Sequence, residues 1–385
     1  MSLHFSEAEF ERRKASCKQE LSRLNLDAIL LFKQESMYYL TGLDSTGYLY
    51  FQTLLMGANG EETLLTRSGD LASAQQTSNI EDIRVWVDSP DVDPATEIRK
   101  LLEDHGLGGK RIGVEYQAVG LNAFRGQMLD ARLEGFCDCV DASDVIDRLR
   151  LVKSEEELVY VRESAVLSQA VLETANRLSV PGASLGEVRA GMLATLVEGG
   201  GDPPTIRWPM GCGESALMVR YFTGCHDQRI AANDQVTHEF GASYRHYHTA
   251  LMHLVVTGKP DPRHLEMFAA CSNAIEACEE TLRPGRTFGD IYDAHAEVLS
   301  GAGFDGMFLN TCGYPLGATY PPTWVEQPII YRNNPLELRP GMVLFMHMIL
   351  QDRANGLAMS LGETALVTEA GCERLTQAPR ELVVN

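Results

Sequence analysis

The amino-acid sequence predicts an α/β N-terminal domain followed by an α+β C-terminal domain that carries an internal pseudo-two-fold duplication. Three observations lead there. Strand and helix patterns alternate over residues 1–148, a long helix opens the remainder, 149–385, and that remainder holds one motif twice, as "VPGASLGEV" (180–188) and "RPGRTFGDI" (283–291). Each copy runs Pro-Gly, then Ser184 or Thr287, then a Gly, an acid and a β-branched residue. A repeated unit constrains the whole fold, because both copies must bury equivalent faces.

In the first domain "DAILLF" (27–32), "YLYFQTLLMG" (48–57) and "RIGVEY" (111–116) read as strands. Asn59-Gly60 reads as the turn of a hairpin between the second of these and "EETLLT". Helical patterns at about 69–78, 93–106 and 121–132 separate them. The junction follows in "RLRLVKSEEELVYVRESAVL", where Ser154 and Glu157 stand at capping-box spacing and Leu158, Val161, Ala165 and Leu172 form an apolar stripe. Ser184 with Glu187, and Thr287 with Asp290, repeat that spacing at the two motif copies.

The stretch "HEFGASYRHYHTALMHLVVTGKP" (238–260) predicts two strands, Val236 to Gly241 and Arg245 to Thr257, around a short turn containing Gly241 and Ser243. Alternation puts His246, His248, Ala250 and Met252 on one face. Glu239 is its sole carboxylate. Half of the ten histidines, His226, His238, His246, His248 and His253, fall within this stretch and the residues just before it. "VEGGGDPPTIRWPMG" (197–211) matches no phosphate-loop pattern, and no nucleotide cofactor is expected.

Composition narrows the partners. With 385 residues, 44% hydrophobic and 22% charged, the chain reads as soluble and globular, and its net charge of -20 argues against nucleic acid. Nine scattered cysteines, whose one close pair, Cys137 and Cys139, has C-x-C spacing, suit a reduced chain. No apolar run approaches the ~18 residues of a membrane span. The first 30 residues read as an amphipathic helix and a strand rather than a signal peptide, so a cytoplasmic protein is expected.

Taken in order, "YYLTGL" (38–43), "RLVKSEEEL" (150–158), the duplicated motif, "EFGASYRHYHTALMHLVVTGKP", "RPGMVLFMH" and "GETALVTEAG" resemble the creatinase and prolidase family, peptidase family M24, along nearly the whole chain. The resemblance implies an N-terminal α/β domain, a C-terminal pita-bread domain with its active site on the sheet, and a homodimer. Peptidases of this family hold two metals between two Asp, a His and two Glu. At the matching positions this chain has Glu239, Ala250, His347 and Gly362, with Tyr314 and Pro321 where histidines stand. No metal is therefore expected. The pattern is most similar to that of ectoine hydrolases, in Glu239, "RHYH" (245–248), Gly313-Tyr314, Tyr320 to Pro322, Trp324, Glu326 and "ETALVTE" (363–369), and departs from it at Met252 and His253.

That resemblance implies a metal-free hydrolase opening a small cyclic amidine, ectoine or hydroxyectoine. Glu239 is the expected nucleophile or general base. His248 is the expected proton-transfer group, and Glu363 is expected to orient a histidine or pair with the substrate. Tyr320 and Trp324 are expected to wall a cationic ring through their π faces. Tyr314, Glu326, His347 and His226, the last near the catalytic histidine of creatinase, complete the expected substrate site. A second reading is an Xaa-Pro aminopeptidase-like or creatinase-like hydrolase, and a third is a binding protein without catalysis.

Overall fold

The computed structural model describes residues 3–90, 92–218 and 227–385. The chain divides into two compact units, Met1–Arg150 and Leu151–Asn385.

In the first unit the elements run α1 (Glu7–Arg23), β1 (Ala28–Leu31), α2 (Gln34–Thr41), β2 (Thr53–Gly57), β3 (Glu62–Arg67), α3 (Leu71–Thr77), β4 (Asp82–Trp86), α4 (Pro94–Asp104), β5 (Arg111–Val114), α5 (Ala123–Leu133), β6 (Asp138–Asp141) and α6 (Val145–Arg150). The strands form one mixed sheet ordered β4-β3-β2-β1-β5-β6. β1 lies inside it and is buried on both faces, which is why "AILL" lacks an apolar/polar alternation. Ile29 and Leu31 join a core with Leu21 of α1, Met37 and Leu40 of α2 and Ile146 of α6. Ala28 and Leu30 face the other way, toward Ile98 and Leu102 of α4 and Leu129 of α5. Buried Glu115 accepts the N–H groups of Phe32 and Lys33, both at 2.9 Å, and the Ser36 hydroxyl at 2.5 Å, so it holds the start of α2.

The expected strand 48–57 is shorter in the structure. Its first residues form a tight turn in which the Tyr50 N–H bonds the Gly47 carbonyl and Ser45 accepts the Gly47 N–H. Those local bonds absorb donors that a ladder would need, and pairing with β1 begins only near Thr53.

The second unit runs α7 (Glu155–Leu178), α8 (Leu185–Glu198), β7 (Met210–Cys212), β8 (Asp234–Tyr244), β9 (Tyr247–Thr257), α9 (Pro262–Thr281), α10 (Phe288–Gly301), β10 (Thr311–Pro315), β11 (Ile330–Tyr331), β12 (Val343–Asp352), β13 (Leu357–Thr368), β14 (Gly371–Arg374) and β15 (Val383–Val384). All three capping boxes form, at Ser154 with Glu157, Ser184 with Glu187 and Thr287 with Asp290. Loss of one such hydroxyl costs about 1 kcal/mol. The main sheet runs β11-β10-β12-β13-β9-β8-β7. Two helices followed by strands occur twice, and the order β7-β8-β9 mirrors β10-β12-β13 about the β9/β13 seam. The repeated Pro-Gly motif thus marks a duplicated half.

Strand register decides which side chains share a face. Glu239 stands opposite Met252, Met252 opposite Gly362, and Gly362 opposite His347. The neighbouring residues turn toward the helices. Thr249 meets Ser164 and Ser168 of α7, and the His253 ring bonds Asn176 of α7 at 2.7 Å. The row Glu239, Met252, Gly362 and His347 therefore lies on the face turned away from α7 and α9.

The hairpin turn differs from its expected place. Arg245 and His246 occupy it, both at positive φ (49° and 67°), while Gly241 and Ser243 are paired inside β8. Positive φ at both central residues gives the turn a twist that suits a two-residue hairpin, and Asp202 stabilises it by accepting the His246 N–H at 2.8 Å. Gly241 serves a different need: a Cβ there would approach the Thr249 carbonyl to 2.5 Å.

Candidate active site

Glu239 is buried, 8% exposed, near the middle of β8. The Tyr314 hydroxyl on β10 lies 3.4 Å from its Oε1 and donates to it. The direction follows from the next bond: the Trp324 indole N–H, which can only donate, reaches the Tyr314 oxygen at 2.9 Å. The phenol oxygen is thereby an acceptor toward Trp324, and its proton is aimed at the carboxylate. Tyr314 also packs against Phe345 and His347, with ring centroids 5.3 and 6.0 Å away. The structure thus assembles Glu239, Tyr314, Trp324 and His347 from four separate segments.

Beside Glu239 is a cavity of ≈ 30 Å³, whose described lining includes Ala216, Met218, Met252, Ile349 and Ala358 but no Lys or Arg. Its hydroxyl and amide side chains are turned to backbone carbonyls. Ser360 donates to His253, Thr237 to Gly211 and Gln351 to Leu217. Among the described residues the carboxylate therefore borders a small, largely apolar space.

Other expected site residues sit elsewhere. His248 shares the face of Glu239 but stands opposite Ser243, four residues along β8, or about 13 Å at the rise of a strand. Its Nδ1 lies 2.7 Å from the His246 carbonyl, so Nδ1 carries the proton, and its Nε2 accepts from the Thr205 hydroxyl at 3.2 Å. Burial brings its pKa down to about 4, which keeps it neutral. Its ring abuts Trp324 at 6.4 Å. His248 thus packs against the Trp324 loop, whose indole reaches Glu239 through the Tyr314 hydroxyl.

Glu363 is corrected as well. It opposes Met346, one residue out of step with the Glu239 row, so it points toward α9. There Arg374 grips it in two bonds of 2.7 and 2.9 Å, and Arg380 lies 3.1 Å away. Burial lifts its carboxyl to about 7 against those two arginines. It is a core ion cluster. Glu326 pairs with buried Lys153 at 3.3 Å and lies against Gly317. Tyr320 stacks on His246, with ring centroids 4.2 Å apart. His226 lies outside the described residues.

Sequence reasoning passed over Thr205 and Thr319, which hold the His248 ring, and the Ile349 to Ala358 end of the cavity. Alternation outward from His347 reaches Ile349, but the Thr205 contact carries no signal in the sequence.

Comparisons with known proteins place this geometry. Residues 160–369 match the model of metallopeptidase family M24, and residues 13–152 that of the creatinase/prolidase N-terminal domain. An uncharacterized hydrolase/peptidase, y4tM, of Sinorhizobium fredii is 30% identical over 100% of this chain and 99% of its own. An ectoine hydrolase of Halomonas elongata is 25% identical over 100% and 99%. The crystal structure of a dipeptidase from Pyrococcus horikoshii, 22% identical, superposes with a TM-score of 0.84 over 97% of this chain and 100% of that one.

The family name implies metal ions, and the described residues do not fit them. Across the Glu239 row the side chains are one carboxylate, a thioether, a glycine and one imidazole, with a phenol beside them. Glu363, the nearest further acid on β13, points to the other face. Among the described residues no group of three or more His, Cys, Asp or Glu is placed to hold a metal. Hard divalent ions need several oxygen ligands together. What remains is the family's scaffold with a different set of side chains on it. The chain belongs to metallopeptidase family M24, a hydrolase family, and its architecture is the two-domain pita-bread fold of that family.

Proposed function

We propose that the protein hydrolyses a C–N bond of a small cyclic amidine, ectoine or its hydroxylated derivative, without a metal. The observation that carries this reading is the buried Glu239 carboxylate, met by the Tyr314 hydroxyl in a strand row whose other members are Met252, Gly362 and His347. An amidinium brings its own positive charge to that carboxylate and also an electrophilic carbon, so no Lewis acid is required to activate it. Similarity to an ectoine hydrolase supports the choice of ring. Glu239 either attacks the amidinium carbon or takes a proton from the attacking water. In both routes one water is consumed, one C–N bond breaks, and the departing nitrogen gains a proton. The product is an N-acetylated diaminobutyrate.

We further infer a cytoplasmic homodimer. Exposed Leu49, Tyr50, Val119 and Phe124 in the first unit supply apolar surface of the kind that self-association covers. No described helix is long and apolar enough to cross a membrane.

The test is direct. Protein purified without chelator is incubated with ectoine and 5-hydroxyectoine, products are followed by NMR, and metals are assayed in the same sample. Ring opening is expected with no stoichiometric Mn, Co, Fe or Zn. Cleavage of Xaa-Pro dipeptides or linear guanidino compounds, with both rings left intact, refutes the substrate, and a tightly held metal needed for turnover refutes the mechanism. Inertness across all of them favours the binding protein.

Tyr314→Phe tests the hydrogen-bond chain. It removes the donor to Glu239 and the acceptor of the Trp324 N–H, so turnover is expected to drop about tenfold, and stability by about 1–3 kcal/mol. Steady-state rates and thermal unfolding read the two effects. Unchanged turnover in a folded variant removes Tyr314 from the catalytic account.

A further inference from the structure

The first unit carries a second chemically distinctive group, unrelated to Glu239. Cys137 directly precedes β6 and Cys139 is its second residue, and their sulfurs lie 3.7 Å apart. Both are half-buried thiols, and β6 is the edge strand of its sheet, so one flank of the pair carries no further strand. Residues two apart project to the same side of an extended chain, which brings the sulfurs together. Cys139 is anchored by ladder pairing with Ile112, whereas Cys137 lies in a bend whose N–H bonds the Leu133 carbonyl at 3.3 Å. Cys139 is thus held in the sheet ladder, while Cys137 stands just outside it.

The two thiols are not equivalent. The sulfur–sulfur contact with Cys139 lowers the pKa of Cys137, aided by the Arg99 guanidinium, which sits 4.7 Å over the adjacent Phe136 ring. Asp138 opposes this, and the Cys139 thiol is itself pushed up by Cys137, by burial and by Asp130. Reactivity follows thiolate character together with access. Cys278 and Cys312 also interact but are both fully buried, which denies them an oxidant.

We propose that Cys137 and Cys139 form an oxidisable dithiol that a peroxide converts to an intramolecular disulfide, with Cys137 as attacking sulfur and Cys139 as resolving sulfur. The Cys137 thiolate attacks one peroxide oxygen and the O–O bond breaks, giving a sulfenic acid and water once the leaving hydroxide takes a proton. The Cys139 sulfur then attacks Cys137, the S–O bond breaks, and the Cys139 proton leaves with the hydroxide as a second water. Two thiols and one hydrogen peroxide thus yield one disulfide and two waters. Closure requires the sulfurs to approach from 3.7 Å to the ~2.05 Å of a disulfide, a movement that falls to the Cys137 bend.

The experiment treats the full chain with hydrogen peroxide, alkylates remaining thiols and digests with trypsin. The peptide from Leu133 to Arg148 contains both cysteines and no others. It is expected to lose two hydrogens and to escape alkylation, and reductant is expected to restore both alkylation sites. In Cys139→Ser the resolving sulfur is gone, so Cys137 is expected to accumulate as a sulfenic acid trapped by dimedone. In Cys137→Ser, Cys139 is expected to react at least about tenfold more slowly than Cys137 in the native chain. A native peptide carrying sulfinate or two alkyl groups after peroxide overturns the proposal. So does a Cys137→Ser chain in which Cys139 oxidises as fast as native Cys137.

Discussion

Glu239→Gln is expected to lower ring opening of a cyclic amidine by at least about a hundredfold, the low end for losing a proton-transfer group. The substitution keeps the volume and leaves the Tyr314 hydroxyl an amide oxygen to meet. It removes the charge that faces the amidinium and the oxygen that attacks or accepts a proton. No other described carboxylate on the same face replaces it, because Glu363 is turned to Arg374 and Glu326 is paired with Lys153. Circular dichroism and thermal unfolding are expected to match the native chain, which separates lost chemistry from lost structure. Near-native turnover of the Gln variant would sink the mechanism even with the right substrate.

Acid is expected to unfold the second unit abruptly between about pH 5 and pH 4. Burial lowers His238 to about 3 and His248 and His295 each to about 4, and it holds His253 well below its ordinary value, with His238 stacked 5.0 Å away adding to the effect. A histidine kept neutral in the fold contributes stability that is complete above its unfolded pKa of about 6.5 and is lost as pH falls through the folded value. Glu363, raised to about 7, works in the opposite sense. It binds a proton more tightly in the fold, so its contribution is complete below the unfolded value near 4.3 and is lost as pH rises through 7.

Each group changes by about 1.4 kcal/mol per pH unit, so by pH 5 the four histidines together have lost roughly 8 kcal/mol against a Glu363 gain of roughly 3 kcal/mol. Below about pH 4.3 the Glu363 gain is exhausted while the histidines go on losing. The combined loss is on the order of 5–10 kcal/mol, comparable to the whole stability of a typical domain. Tryptophan fluorescence against pH checks this, since all three tryptophans fall within described segments and two of them, Trp208 and Trp324, belong to the second unit. A second unit still folded at pH 3.5 contradicts the expectation. His238→Gln removes one titrating site and is expected to move the acid midpoint downward.

Much of the fold was legible because it is written in short-range spacing. A hydroxyl three residues before an acid closes a capping box within one helical turn, so Ser154, Ser184 and Thr287 announced their helices. Alternation over two residues gave the strands around Glu239. It misplaced the turn by taking Gly241 for a turn residue, when that glycine is there to let β9 come close.

What the amino-acid sequence determined by itself was the duplicated scaffold and the identity of each position, so that Ala250 and Gly362 carry no ligating atom whatever their surroundings. What only the tertiary structure decided was the company Glu239 keeps. Tyr314, Trp324 and His347 lie between 75 and 108 positions further along the chain, and they meet it only because β10, β12 and β13 align in one register. The same register excludes Glu363, since a shift of one residue along a strand exchanges its faces, and it places His248 four residues away from the carboxylate it was expected to serve. Identity is a property of one position, but proximity depends on hydrogen-bond pairing between distant strands.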